Sequence, residues 1–200
     1  MKFPFFLGCT LIFLAVVSYK RMRAEKNHKD TERIFWEREN AANATRKKDI
    51  SNLNYVDFTG VTLPFALFSD DFLKQCEEQV LKLKEEKILN LTGISNTDLK
   101  LSYGAANLPL LTQYDQNFTL LVRTLNSWGQ RLAELSHPKE AIMVLAFSVS
   151  IGSDIKATYK LLVDLYQQEG EIDKIQPLKS SASQLNSLMK EPILNMLENL

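Results

Sequence analysis

Several residue types are scarce in this 200-residue chain, and each scarcity excludes a class of protein. Two cysteines are too few for a disulfide scaffold or a four-cysteine zinc site. Seven glycines and six prolines are too few for a collagen, a flexible linker or a loop-rich β-sandwich. Two histidines, His28 and His137, make a histidine-based metal site or proton relay hard to build. With 45% hydrophobic and 24% charged residues, the composition is that of a folded globular chain.

The chain also lacks the short motifs that carry chemistry. It contains no G-x-G-x-x-G, no G-x-x-x-x-G-K-[ST], no H-E-x-x-H and no C-x-x-C. Carboxylate pairs such as Glu77 and Glu78 are expected at helix starts or on exposed faces, where they compensate helix dipoles and aid solubility. We therefore expect a protein that is not an enzyme and that holds no cofactor and no metal ion.

The net charge is zero, but the charges are divided unevenly along the chain. Residues 20–48 contain ten Lys/Arg and five Asp/Glu, whereas residues 49–200 contain thirteen Lys/Arg and nineteen Asp/Glu. A net-acidic body lacks the basic face that nucleic-acid phosphates require, so we expect no nucleic-acid partner. The basic stretch follows directly after an apolar run, which indicates a membrane instead.

That apolar run covers residues 3–19, which are seventeen positions without a charged side chain. A helix needs about 17 to 25 such residues to cross a bilayer. The run ends in Tyr19 and the basic residues Lys20 and Arg21, which do not suit a signal-peptide cleavage site. We predict an uncleaved transmembrane signal-anchor over residues 1–19, with a cleaved signal peptide as the alternative. The basic residues that follow predict a single-pass cell-membrane protein with its soluble domain in the cytoplasm.

Residues 20–50 are strongly charged and contain neither glycine nor proline. They predict a solvated juxtamembrane helix or stalk. Asn43, Asn90 and Asn117 each begin an Asn-x-Thr tripeptide. These tripeptides match the acceptor for N-linked glycosylation, which matters only if the body is lumenal or extracellular.

Residues 51–200 carry the periodicity of an all-α domain. The segment 50–68 looks irregular, with room for short extended pieces. Helices are then predicted from Ser69-Asp70-Asp71 to Asn90 and over 97–103. Further helices are predicted from Pro138 to the stop at Gly152, over 155–168, and over 172–189, the last of them interrupted or restarted at Pro177. A short tail opens at Pro192. The clearest apolar stripe has the alternating spacing of three and four that one helix face requires, and its members are Leu111, Tyr114, Phe118, Leu121, Leu125, Trp128, Leu132 and Leu135.

Residues 122–155 and 156–189 superpose at an offset of 34 positions. At this offset the matched pairs are Leu125/Tyr159, Trp128/Leu162, Gly129/Val163 and Leu132/Tyr166. The period and residue classes resemble the tetratricopeptide repeat, and an anchor, a stalk and a small repeat domain in that order resemble membrane-anchored repeat proteins of bacteria. The resemblance implies stacked antiparallel helical hairpins. Because two repeats are too few to close a core alone, we expect residues 69–103 to close it.

Our leading hypothesis is a membrane-anchored scaffold that binds a protein or peptide. Such repeats bind along a concave groove lined by the first helix of each hairpin, here 113–135 and 155–168. The Asn-rich connector 90–111 could line one end of that groove. The candidate contact residues are Tyr103, Asn107, Tyr114, Arg123, Asn126, Lys156, Lys160 and Asp164. The alternatives are an exported accessory enzyme or cell-envelope processing factor, and a structural tether that self-associates through its apolar stripe.

Overall fold

The computed structural model describes residues 3–199, and it is helical over 71% of the chain. No strand forms among these residues, where the β pairing consists of an isolated antiparallel bridge between Tyr55 and Leu89. The prediction of an all-α fold is confirmed. The helices are α1 (Phe3–Ala44), α2 (Asp71–Lys84), α3 (Asn96–Tyr103), α4 (Leu108–Glu134), α5 (Pro138–Ser150), α6 (Lys156–Gln168), α7 (Ile175–Ser183) and α8 (Lys190–Glu198). Short 3₁₀ helices at Ala105–Asn107 and Ile172–Lys174 precede α4 and α7.

The chain divides into two compact units. The N-terminal unit contains residues 1–48 and 96–106, and the C-terminal unit contains residues 49–95 and 107–200. The segment 96–106, which carries α3, therefore groups with α1 rather than with the helices that surround it in the sequence.

Within the N-terminal unit, α1 runs without a break from residue 3 of the predicted anchor to residue 44 of the predicted stalk, and residues 45–50 of that stalk are not helical. Its last turns contact α3, where Lys100 forms an ion pair with Glu39 and donates to Oδ1 of Asn43 at 2.8 Å. The hydroxyl of Thr97 donates to the second Glu39 oxygen at 2.8 Å. These bonds, that of Lys100 above all, favour the charged carboxylate and hold the pKa of Glu39 below its ordinary value.

The predicted signal-anchor, residues 1–19, coincides with the start of α1. Over residues 3–199, no helix combines the length and the apolarity needed to cross a membrane. The first two residues of the predicted anchor, 1–19, lie outside the described part of the chain.

In the C-terminal unit, α4 contacts α2, α5 and α6 and forms the middle of the core. Seven of the eight stripe residues are buried, and Trp128 is fully enclosed. The eighth, Leu135, is the C-terminal cap of the helix. The periodicity therefore identified the face of α4 that packs inward.

The helices α4 to α7 follow one another as two hairpins, since α5 contacts both α4 and α6, and α7 contacts both α5 and α6. This order is compatible with a helical-repeat arrangement, in which neighbouring hairpins share a continuous core. α4 begins at Leu108, well before the first predicted repeat at 122, so the first hairpin is longer on one side than the repeat pattern requires.

Gly129 lies where α5 packs closely on α4. A Cβ atom built on Gly129 would lie 2.4 Å from Cγ and Cδ2 of Leu145. Real Cβ atoms essentially never come that close, so the Leu145 side chain occupies the space that any larger residue at 129 would need. The small member of the Trp128-Gly129 pair thus lets α5 pack directly on α4.

The start of α2 is fixed by an acid that serves two partners. Asp70 accepts the Leu73 backbone N–H at 3.0 Å, as an N-cap, and accepts Nη2 of Arg131 from α4 at 2.7 Å. These bonds, led by that of Arg131, hold the pKa of Asp70 below its ordinary value.

Glu77 differs from the expectation of an exposed carboxylate. It is buried, and its Oε2 accepts the backbone N–H of Ala66 at 2.9 Å. The reason is that the loop before α2 folds back over that helix, and Phe65 in the same loop packs its ring 5.3 Å from that of Trp128.

Three other predicted boundaries were wrong. The helix predicted over 172–189 is a 3₁₀ helix at Ile172–Lys174 followed by α7, which ends at Ser183 and contains Pro177 in its first turn, where proline is tolerated. α2 ends at Lys84 rather than Asn90, because Ile88 and Leu89 are buried in an extended segment whose Ile88 carbonyl accepts the Val56 N–H at 2.9 Å. The predicted tail at Pro192 is instead the helix α8. Proline is tolerated there because the first turn of a helix needs no backbone N–H at that position.

Candidate functional site

The predicted contact residues on α4 and α6 differ in what they offer to a partner. Arg123, Lys156 and Lys160 are exposed, and Asn126 and Asp164 are half-buried. The exposed three therefore supply positive charge along this side of the C-terminal unit.

The side chain of Asn126 forms a contact within the fold. Its Oδ1 accepts a hydrogen bond from Oγ1 of Thr158 at 3.0 Å, and Thr158 is completely buried. This bond joins the first helix of one hairpin to the first helix of the next. The Asn126 side-chain oxygen is therefore already engaged within the fold.

Asn107 and Tyr114 lie in the interior instead of facing a partner. Their exposed fractions are 1% and 9%. Tyr114 packs edge-on against Tyr55 with ring centroids 5.7 Å apart, and its carbonyl accepts the Leu89 N–H at 3.2 Å. The segment 50–68 covers this end of α4, which the sequence pattern did not reveal.

Tyr103 belongs to the N-terminal unit, where it is half-buried at the end of α3. Its carbonyl accepts the Lys48 N–H at 3.0 Å. Asp98, earlier in the same helix, forms an ion pair with Arg38 of α1. The polar groups of α3 therefore bind α1, and the predicted end of the groove at 90–111 is divided between two units.

A different feature of the C-terminal unit has the shape of a binding site. A cleft of about 620 Å³ opens between the segments 54–61, 90–94, 147–154 and 181–187. Volumes of about 300–1,000 Å³ are usual for ligand sites. We call it the amide cleft because most of the polar residues in its lining carry an amide or a hydroxyl, namely Asn54, Asn90, Thr92, Ser150, Ser181, Gln184, Asn186 and Ser187.

Asn90 joins two walls of the amide cleft. Its Nδ2 donates to the carbonyls of Gly152 at 3.2 Å and Ile151 at 3.5 Å, at the end of α5. Its Oδ1 accepts the Thr92 N–H at 3.0 Å, which shapes the loop that follows. One side chain thus ties the 90–94 loop to the C-terminus of a core helix.

The third wall is held by a close backbone approach. Gly93 has φ +79°, and a Cβ on it would lie 2.1 Å from the backbone oxygen of Asn186. Nδ2 of Asn186 donates to the Thr92 carbonyl at 3.2 Å. Only glycine fits this position, so the 184–187 segment can pack directly on the 90–94 loop.

The charged groups of the amide cleft are both acidic. Asp57 and Asp154 line it, and its described lining contains no Lys, Arg or His. Asp57 accepts the Thr59 backbone N–H at 2.8 Å, and its bonds to Thr59, led by the side chain, hold its pKa below the ordinary value. Asp154 accepts the hydroxyl of Ser187. The cleft is therefore a hydrogen-bonding surface that attracts positive charge.

Other groups with chemical potential are placed for structure. Within residues 3–199, no three His, Cys, Asp or Glu side chains are arranged to hold a metal ion. Cys76 is buried on α2, and this burial raises the pKa of its thiol to about 11. A thiol with so high a pKa is protonated at neutral pH and packs as a small apolar group.

Sequence reasoning missed the amide cleft because its four walls are far apart in the chain. A usable signal was nonetheless present. The segments 90–96 and 180–187 are both rich in asparagine and serine, and 150–154 reads Ser-Ile-Gly-Ser-Asp. Such residues concentrate where loops carry binding groups.

Comparison with known proteins adds no relative to this picture. No protein family model, no curated protein and no solved structure matches the chain.

Proposed function

We propose that this chain is a membrane-attached, non-catalytic helical-repeat module that binds a protein or peptide segment. The observation that carries the proposal is the amide cleft, a preformed concave surface of about 620 Å³ lined by groups that recognise rather than react. Amides and hydroxyls donate and accept hydrogen bonds at neutral pH, which suits the recognition of a polypeptide backbone.

The arrangement of α4 to α7 supports the same function. Consecutive hairpins with a shared core present extended surfaces, and proteins built in this way use them to bind other chains. Trp128-Gly129 and Tyr159 carry the resemblance to tetratricopeptide repeats, and this resemblance implies a peptide-binding role. Exposed Arg123, Lys156 and Lys160 would then form a second contact region on α4 and α6.

The proposed membrane attachment rests on the N-terminal part of α1. Large apolar side chains from Leu11 to Val17 are exposed there, with Ile12 and Phe13 each 67% exposed. A helix that is apolar on all sides needs an apolar environment. Lys20 and Arg21 follow at once, so we place the body on the cytoplasmic side.

The attachment is tested by extracting membranes with alkaline carbonate. The full chain should stay in the membrane pellet, whereas an Ile12→Glu/Phe13→Glu double variant should be released. A chain that is extracted as fully as this variant would contradict the attachment. Replacing exposed Met22, which lies beyond the run, by Glu should have no such effect and serves as the control.

Binding is tested with a photoreactive amino acid introduced into the full chain in its native membrane. Positions 54 and 184 lie in the walls of the amide cleft, and Lys82 is an exposed residue of α2 outside it. Light should produce one discrete protein adduct from positions 54 and 184 and none from 82. Equal adducts from all three positions would refute the proposal. An adduct formed only with a second copy of this chain would favour the self-associating tether.

A further inference from the structure

We infer that the amide cleft takes an extended polypeptide segment carrying lysine or arginine side chains, which the carboxylates of the cleft bind. This inference rests on the proposed function and specifies the chemistry of the partner. It follows from three properties of the cleft, namely its charge, its unused hydrogen-bonding groups and its apolar floor.

The charge selects a cation. Asp57 and Asp154 each accept a bond from the chain itself, from Thr59 and Ser187 respectively. A carboxylate has about four acceptor positions, so each retains capacity for a ligand. No positive side chain in the described lining neutralises them. An acidic or phosphorylated ligand would be repelled, and a guanidinium or ammonium group would form charge-assisted hydrogen bonds.

The unused amides select a polypeptide backbone. Within the described part of the chain, the side chains of Asn54 and Gln184 make no hydrogen bond, and both residues are exposed in different segments of the lining. An amide side chain can donate to a peptide C=O and accept a peptide N–H at the same time. Two such groups on different walls match the alternating donors and acceptors of an extended strand.

The apolar part of the amide-cleft lining suits the aliphatic stem of a long basic side chain. Phe147, Val149 and Ile94 line the cleft together with the ring of Tyr55. Lysine and arginine bury their methylene stems on apolar surface while the charged end reaches polar groups. A floor of this kind next to two carboxylates therefore distinguishes a basic residue from a short polar one.

The cleft is also preformed, because Asn90 and Gly93 fix three of its walls. A ligand would not have to order these walls on binding. Such preorganisation raises affinity by removing an entropic penalty.

The test is a selection of linear octapeptides from a random phage-displayed library on the full chain in detergent micelles. We expect the selected peptides to be enriched in lysine and arginine. A synthetic selected peptide should bind the Asp57→Asn/Asp154→Asn variant at least about tenfold more weakly, because hydrogen bonds to charged groups are the stronger ones. The matched control, Asp71→Asn/Asp173→Asn, removes two exposed carboxylates outside the cleft and should bind normally.

A second variant separates occupancy from charge. Gln184→Trp places a bulky side chain in the wall and should abolish binding while circular dichroism shows an unchanged helix content. Selected peptides without basic residues, or binding that the charge variant leaves intact while Gln184→Trp abolishes it, would overturn the inference while the proposed function survives. Failure to select any peptide, or binding that both cleft variants leave intact, would overturn the inference and the proposed peptide-binding function of the cleft together.

Discussion

The contact between Gly129 and Leu145 makes a quantitative prediction about how α4 and α5 pack. Gly129→Ala adds one methyl group at a point where its Cβ would lie 2.4 Å from the Leu145 side chain. The two helices must then separate or Leu145 must leave its rotamer, although it is fully buried. The substitution should therefore destabilise the fold, whereas alanine normally stabilises a helix relative to glycine.

Two opposing contributions set the magnitude. Overpacking a core by a methyl group destabilises by about 1–3 kcal/mol. Replacing a mid-helix glycine by alanine stabilises by about 1 kcal/mol. The net result is a loss of about 0–2 kcal/mol, which lowers Tm by about 2–4 °C per kcal/mol for a chain of this size.

A double-mutant cycle identifies the cause. Leu145→Ala alone should cost about 2–5 kcal/mol because it leaves a cavity. If the methyl group that Gly129→Ala introduces fills part of that cavity, the double variant should be more stable than the sum predicts by about 0.5–3 kcal/mol. The free energy of unfolding is measured by urea titration followed by circular dichroism.

The control is Gln130→Gly on the exposed side of α4, which should lose about 0.5–1 kcal/mol from helix propensity alone. The packing argument is refuted if Gly129→Ala stabilises the protein by as much as that control destabilises it. Additive single and double variants would refute it as well.

Three further predictions concern the same unit. Gly93→Ala should cost about 1–3 kcal/mol from its left-handed backbone alone, and hydrogen exchange should speed up around Asn186 because the two segments can no longer touch. Asp70→Asn should be less stable than the wild type at neutral pH. The free energies of unfolding of the two proteins, measured by urea titration, should converge as pH falls below about 3.9 and through the lowered pKa of Asp70, because protonation then releases Arg131 in the wild type too. Tyr159 is buried, its hydroxyl donates to a backbone carbonyl at 2.9 Å, and burial raises its pKa to about 12. Relative to Tyr159→Phe, the wild type should lose stability as pH rises from about 10 towards 12, because the unfolded chain loses this proton first. A stability difference that stays constant across that range would contradict the burial.

The helices of the C-terminal unit were largely predictable because each buries one face. The α4 stripe from Leu111 to Leu132 repeats with helical spacing, and every member of it is buried. Pro138 and Gly152 marked the limits of α5 because proline begins helices and glycine ends them. Local chemistry and tertiary packing agree at these positions.

Prediction failed where distant segments decide the conformation. Residues 85–87 favour helix, yet the chain becomes extended so that Ile88 and Leu89 are buried beside Val56. The burial of Asn107 and Tyr114 likewise depends on segments that have no periodicity of their own. The amide cleft is the extreme case, because four separate segments form it and none of them carries a ligand-binding motif.

The bond from Asn90 to the end of α5 has a consequence for glycosylation of the Asn-x-Thr tripeptide that Asn90 begins. N-linked sugars are attached to the side-chain amide nitrogen of asparagine, and in this fold that nitrogen donates to the carbonyls of Gly152 and Ile151. An oligosaccharide at this position would push the 90–94 loop away from the core helix. A sugar on Asn90 and an intact cleft are therefore expected to exclude each other.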